Sequence, residues 1–139
     1  MINEKLKAIE CCDHNTPFEL NDIIDSLVFN DQGLIPVITQ DASSKVVLMF
    51  AWMTKGALMQ TITTQQIVYW SRSRKQLWRK GESSGHTQKL VSMSFDCDGD
   101  VVLCSVDQKG AACHTGRPNC FYLEVDVESQ RVVISGNAQ

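Results

Sequence analysis

Leu90-Val-Ser-Met-Ser-Phe-Asp-Cys-Asp-Gly-Asp-Val-Val-Leu-Cys-Ser-Val106 decides the fold class. Two strand-like runs, Leu90–Cys97 and Val101–Val106, flank Asp98-Gly99, a dipeptide that favours a tight hairpin turn. Outward from this pair the same pattern repeats. Phe121–Val127 and Arg131–Ile134 form a second hairpin toward the C-terminus. Leu34–Gln40 and Val46–Trp52 form another around Asp41-Ala-Ser-Ser-Lys45, and Ile67–Trp70 is a short strand. Thr54 caps a helix running to about Thr63, with Leu58 and Ile62 four apart on one face. Helix-like stretches also lie at Asn3–Cys11 and Pro17–Leu27, the second with Thr16 as N-cap and Pro17 in the first position. The expected fold is α+β: one compact domain of mostly antiparallel strands with a few short helices, comprising an N-terminal helical extension (1–30) and a main unit (31–139).

Composition narrows the function. Sixteen acidic against thirteen basic residues give a net charge of −3, which argues against a globally basic nucleic-acid binder. No run of 18 apolar residues exists, so no membrane span is expected. The N-terminus lacks the apolar stretch of a secretory signal, which places the chain in the cytoplasm. Six cysteines are many for a cytosolic domain, where structural disulfides are rare. Metal ligation or thiol chemistry is the leading explanation for some of them. Four of the six, Cys97, Cys104, Cys113 and Cys120, crowd toward the C-terminal half.

Three segments carry candidate chemistry. In Asp96-Cys-Asp-Gly-Asp100, strand alternation puts Asp96 and Asp98 on one face and Cys97 on the other, with Val91, Met93 and Phe95. Neighbouring carboxylates repel unless a cation neutralises them, and oxygen ligands suit Mg²⁺ or Ca²⁺. An EF-hand does not fit, because Val101 stands where its glycine is required. On spacing alone, a solvated acidic turn explains these residues equally well.

Cys113-His-Thr-Gly-Arg-Pro-Asn-Cys120 places two thiols seven positions apart across a loop, with His114 beside the first. Cys97, Cys113 and Cys120 together would leave one tetrahedral position of a zinc ion open, the pattern of a catalytic site. His114 would either ligate the metal or move protons near it. Cys104 reads as a small core residue, and Cys11 and Cys12 have no partner set.

Tyr69-Trp-Ser-Arg-Ser-Arg-Lys-Gln-Leu-Trp-Arg-Lys-Gly-Glu-Ser-Ser-Gly85 holds five basic residues and one acid. This local positive charge on an acidic chain points to an anionic ligand. The candidate binding residues are Trp70, Ser71, Arg72, Ser73, Arg74, Trp78, Arg79, Lys80, Ser83 and Ser84. Arginine forks and hydroxyls suit phosphate, and either tryptophan can stack on a base. Single-stranded RNA would be bound with the same ingredients, and a solvated charged loop needs no ligand at all.

Taken together, these segments resemble the phosphoribosyl-AMP cyclohydrolase family of histidine biosynthesis. The matching stretches are Gly33-Leu-Ile-Pro36, Tyr69–Arg74, Leu77–Glu82, Asp96–Asp100, Ala112–Arg117 and Cys120-Phe-Tyr122, in the family's order and spacing. The resemblance implies hydrolytic opening of the adenine ring of phosphoribosyl-AMP at N1–C6, the third step of that pathway. It implies one Zn²⁺ per subunit at Cys97, Cys113 and Cys120, and one Mg²⁺ per subunit at Asp96, Asp98 and Asp100. It also implies an intertwined homodimer sharing zinc ligands between subunits, a monofunctional chain, and no nucleic-acid or membrane partner. His114 is the expected proton carrier, and the arginines and Lys80 would hold the two substrate phosphates. The alternative is a non-catalytic, zinc-stabilised module that binds nucleotides or RNA through its basic stretch. A redox-thiol protein is weaker, since no Cys-x-x-Cys is present.

Overall fold

Apolar residues at alternate positions build one mixed sheet with a single well-filled face. The computed structural model describes residues 3–139. Strands β1 (Ile35–Asp41), β2 (Val47–Met53), β5 (Gln88–Phe95) and β6 (Val102–Gln108) form the sheet in the order β2-β1-β6-β5. Two small hairpins lie outside it: β3 (Val68–Ser71) with β4 (Gln76–Arg79), and β7 (Leu123–Asp126) with β8 (Arg131–Ile134). Helices α1 (Glu4–Lys7), α2 (Leu20–Asp25) and α3 (Lys55–Thr64) complete the chain. The α+β class and the predominance of antiparallel pairing agree with the sequence reading. The central pair β1 and β6, however, is parallel, with Val37 opposite Val102 and Thr39 opposite Cys104.

The core is the face carrying Ile35, Val37, Met53, Val102, Cys104 and Val106, closed by Ala57 and Leu58 of α3. Cys104 is fully buried, as expected of a small core residue. Thr54 caps α3, its hydroxyl accepting from the Ala57 amide at 3.1 Å. Gln65 ends the helix in the left-handed region. Ile24 and Leu27 of the N-terminal segment belong to the same core.

Several local expectations are corrected. The first helix is only Glu4–Lys7, shorter than the Asn3–Cys11 stretch. The second begins at Leu20 with Glu19 as N-cap, because the Thr16 hydroxyl donates to the Asp13 carbonyl in a separate turn. Strand β4 was not foreseen: its basic and aromatic residues look like ligand-binding surface, but Val68–Ser71 pairs directly with Gln76–Arg79. The alternation placing Val91 with Met93 and Phe95 also fails. The register shifts between Leu90 and Ser92, so Leu90, Met93 and Phe95 pack on the core while Val91 is 60% exposed.

A polar knot lies inside the core. The buried Tyr69 hydroxyl donates to Gln88 Oε1 at 2.6 Å and sits 2.8 Å from the Thr39 hydroxyl. Gln88 Nε2 donates to Gln108 Oε1 at 2.8 Å. Every buried side-chain nitrogen and oxygen among the described residues has a partner. Tyr69→Phe is therefore expected to leave Gln88 Oε1 short of its donor and destabilise the protein by about 1–3 kcal/mol, read as a lower urea midpoint. An unchanged midpoint would show that the hydroxyl is energetically idle.

Candidate functional site

The loop after β6 folds back on itself through its own backbone. Ala112 N–H donates to Pro118 O at 3.3 Å, Cys113 N–H to Arg117 O at 3.2 Å, and Gly116 N–H to Cys113 O at 3.0 Å. Gly116 takes φ +88°, which allows the reversal. Cys120 N–H then donates to Leu48 O at 2.7 Å, docking the loop on edge strand β2. This closure brings the Cys113 and Cys120 thiols near enough for each to shift the other's ionisation. The convergence expected from the Gly and Pro of this loop is present.

The two thiols differ. Burial alone would raise Cys113, but bonds from the Thr115 hydroxyl at 3.1 Å, the Thr115 amide and the Cys120 thiol, with the Arg117 charge, hold it below the ordinary value. Cys120 is exposed as a residue, yet desolvation of its sulfur, then the neighbouring Cys113 charge, push the thiol up to about 11. The two thiols are thus shifted in opposite directions, Cys113 down and Cys120 up. Two soft sulfur ligands on one loop suit zinc.

Cys97 lies elsewhere. Strand β5 stops at Phe95, and residues 96–101 form a turn closed by Asp96 N–H to Val101 O at 3.1 Å. The alternating faces assigned to Asp96, Cys97 and Asp98 therefore do not persist. Instead one ligand atom from each of the three lies within 4.8 Å of the others, the one such cluster of three or more among the described residues. Exposed acidic clusters of this kind are common without an ion. Asp96 also has a structural task, because its Oδ1 accepts from the Asp100 and Val101 amides at 2.9 and 3.2 Å. Burial pushes Asp96 up, but these bonds and one from the Asp100 carboxyl hold it below the carboxylate range. Asp100 is raised by that same carboxyl contact, then by burial and the charges of Asp96 and Asp98.

The basic stretch divides among three hollows. A cavity of about 400 Å³ is lined by Arg74, Trp78, Lys80, Ser83 and Ser84 together with Cys113 and His114. Glu82 and His86 line it too; Glu82 closes the Leu77–Glu82 stretch but is an acid in a segment read for its positive charge, and His86 lies beyond it. Trp70, Arg72 and Ser73 face a second cleft with Gln32 and Lys75. Arg79 lines a third with Gln60 and Thr64. The Ser71 hydroxyl accepts from the Arg74 amide at 3.2 Å, so it shapes the β3–β4 turn. The Arg72 guanidinium lies 5.0 Å from the Trp52 ring.

Lys80 is the most constrained of these cations. Its Nζ donates to the Ala112 carbonyl at 2.7 Å and lies 5.2 Å from the Trp78 ring. Burial pulls its pKa below the usual lysine value, while the charges of Cys120 and Cys113 act in the opposite direction.

Residues 49–122 match the sequence model of the family described as Phosphoribosyl-AMP cyclohydrolase. The phosphoribosyl-AMP cyclohydrolase of Chromohalobacter salexigens is 47% identical over 131 residues, covering 94% of this chain and 90% of that protein. Phosphoribosyl-AMP cyclohydrolase 2 of Pseudomonas fluorescens is 54% identical over 130 residues, with 94% and 88% covered. The corresponding protein of Bordetella avium is 56% identical over 106 residues, with 76% and 79% covered.

The floor of the cavity depends on Gly81, which holds φ +83°, and a Cβ there would come within 2.5 Å of the His86 and Thr87 backbone. Gly81→Ala is expected to cost more than about 1 kcal/mol, measured by urea denaturation, because backbone must move. Wild-type stability in that variant would contradict the close approach.

Proposed function

The chain belongs to the phosphoribosyl-AMP cyclohydrolase family, and on that premise we propose that it is a hydrolase of histidine biosynthesis which opens the adenine ring of phosphoribosyl-AMP at N1–C6 with zinc. The observation that carries this reading is one cavity lined by Cys113, His114 and the basic, aromatic residues of the β3–β4 hairpin and the loop after it. A thiol that could hold a metal, a proton carrier and an anion-binding wall thus face the same space.

Cys113 and Cys120 would hold the zinc with Cys97 of a second copy, since within one chain Cys97 clusters instead with Asp96 and Asp98. Bound there, zinc supplies Lewis-acid activation of water. His114 lines the same cavity, where it would take a proton from the attacking water and return it to ring nitrogen N1 as the N1–C6 bond breaks. Trp78 stacks on the purine, and Arg74 with Ser83 and Ser84 holds a phosphate. The second cleft, with Trp70, Arg72 and Ser73, is the place for the other phosphate. Asp96, Asp98 and Asp100 would hold Mg²⁺, which would supply positive charge beside three neighbouring carboxylates. The subunit functions in the cytoplasm as a homodimer. Its C-terminal hairpin exposes Leu123, Val125, Val127, Val132, Val133 and Ile134 at 55–74%, an apolar surface that a second copy would cover. No helix among the described residues is long and apolar enough to cross a membrane.

Turnover of phosphoribosyl-AMP, followed by loss of the intact purine absorbance, tests the reaction. Activity should vanish on chelation, return with zinc and rise further with Mg²⁺, and Cys113→Ala should fall by at least about a thousandfold. Zinc-loaded protein without ring opening would favour a non-catalytic nucleotide-binding module, and no response to Mg²⁺ would remove the aspartate assignment. Ligand sharing has its own test. Mixing inactive Cys97→Ala and Cys113→Ala chains should regenerate up to about one intact site per heterodimer, and absence of rescue would place all ligands in one chain.

A further inference from the structure

Lys80 stands in the basic stretch where a phosphate ligand is expected, but its surroundings describe another task. Its Nζ is spent on the Ala112 carbonyl at 2.7 Å, one residue before Cys113. The ammonium is held on the Trp78 ring at 5.2 Å, and Trp78 packs on Tyr69 at 5.5 Å between centroids. Tyr69 is fixed in turn by Gln88 and Thr39, so the lysine is anchored from the core outward.

A half-buried ammonium needs an anion. Among the described residues the one ion pair joins Lys55 to Asp25, so no carboxylate pairs with Lys80. The groups whose negative charge, once ionised, would favour the ammonium are the sulfurs of Cys120 and Cys113. An ammonium has three donors, and one goes to Ala112. Three thiolates around Zn²⁺ carry a net charge of minus one, which a single fixed cation cancels. Arg117 also acts on Cys113, but its guanidinium stacks on Tyr122 at 4.1 Å and its Nε donates to Gly136 O.

We infer that Lys80 is a positioning residue of the metal centre: it ties the Ala112–Cys113 backbone in place and neutralises the thiolate charge. The inference rests on the reading that Cys113 and Cys120 hold zinc. It goes beyond that reading by moving Lys80 from the substrate to the metal.

Full-length wild type, Lys80→Met and Lys80→Arg are titrated with zinc against a chromophoric chelator, and kcat and KM are measured separately. Lys80→Met should bind zinc about ten- to a hundredfold more weakly, with KM at saturating zinc within about twofold of wild type. Lys80→Arg, which keeps the charge, should recover most of the zinc affinity. The thiolate-to-metal absorption of the Co²⁺ form should shift in Lys80→Met and return in Lys80→Arg. Wild-type zinc affinity in Lys80→Met, with KM raised tenfold or more, would make the lysine a phosphate ligand and overturn the inference. Equal loss of zinc in both variants would reduce Lys80 to packing and overturn it as well. Wild-type protein that takes up no zinc would remove the metal reading itself, a result distinct from both.

Discussion

The Tyr69 hydroxyl is the point on which the rest of the structure hangs. It lies fully buried on β3, yet it joins Thr39 of β1 to Gln88 of β5, and Gln88 reaches on to Gln108 of β6. Both Tyr69 and Gln88 also touch the Met49 sulfur of β2. One cluster thus contacts all four strands of the main sheet and the small hairpin beside it. A phenol in such a place cannot ionise, and desolvation drives its pKa far up. Its value is as a neutral donor and acceptor with fixed partners, which selects one arrangement of β3–β4 over the sheet.

That arrangement sets the site. Trp78 lies across the register from Tyr69 and packs on its ring, and Lys80 follows Trp78 at the end of β4. The Lys80 amide donates to Ile67 O, and the Ile67 amide donates to Gln88 O, so backbone and side chain converge on the same strand. From there the Lys80 ammonium reaches the Ala112 carbonyl beside Cys113. Core, basic hairpin and thiol loop are therefore one connected unit. The Cys120 amide bonded to Leu48 O and the Lys80 contact hold the loop closed.

What could be read from sequence divides along the same physical lines. Local signals were legible. Thr54 capping its helix, the Asp41–Lys45 turn and the Cys113–Cys120 loop each depend on residues close in the chain, and each stands where the spacing puts it. Features set by distant partners were not. Parallel pairing of β1 with β6 leaves no local pattern, and β4 is a strand because Val68–Ser71 lies against it, not because Gln-Leu-Trp-Arg favours one. The displaced Val91 is the same lesson on a smaller scale: period-two alternation has no way to announce a bulge. At the site, sequence named Arg74, Trp78, Lys80, Cys113 and His114 as functional without showing that they share one cavity, and it missed Glu82 and His86.

The separation of Cys97 from the thiol loop is the consequence of this architecture that bears most on function. Cys97 sits in the turn joining β5 to β6, while Cys120 is bonded to β2, at the opposite edge of the sheet. Within one chain Cys97 gathers with Asp96 and Asp98, not with Cys113 and Cys120, whereas a tetrahedral zinc holds its sulfur ligands at about 2.3 Å. On the reading proposed above, Cys97 would come from a second copy. The chain also carries a bare apolar hairpin that follows directly from Cys120, so a second copy docked on β7 and β8 would sit beside the thiol pair it has to complete. On that reading, completing the metal site and burying the hairpin would be a single event, which would couple zinc affinity to subunit association.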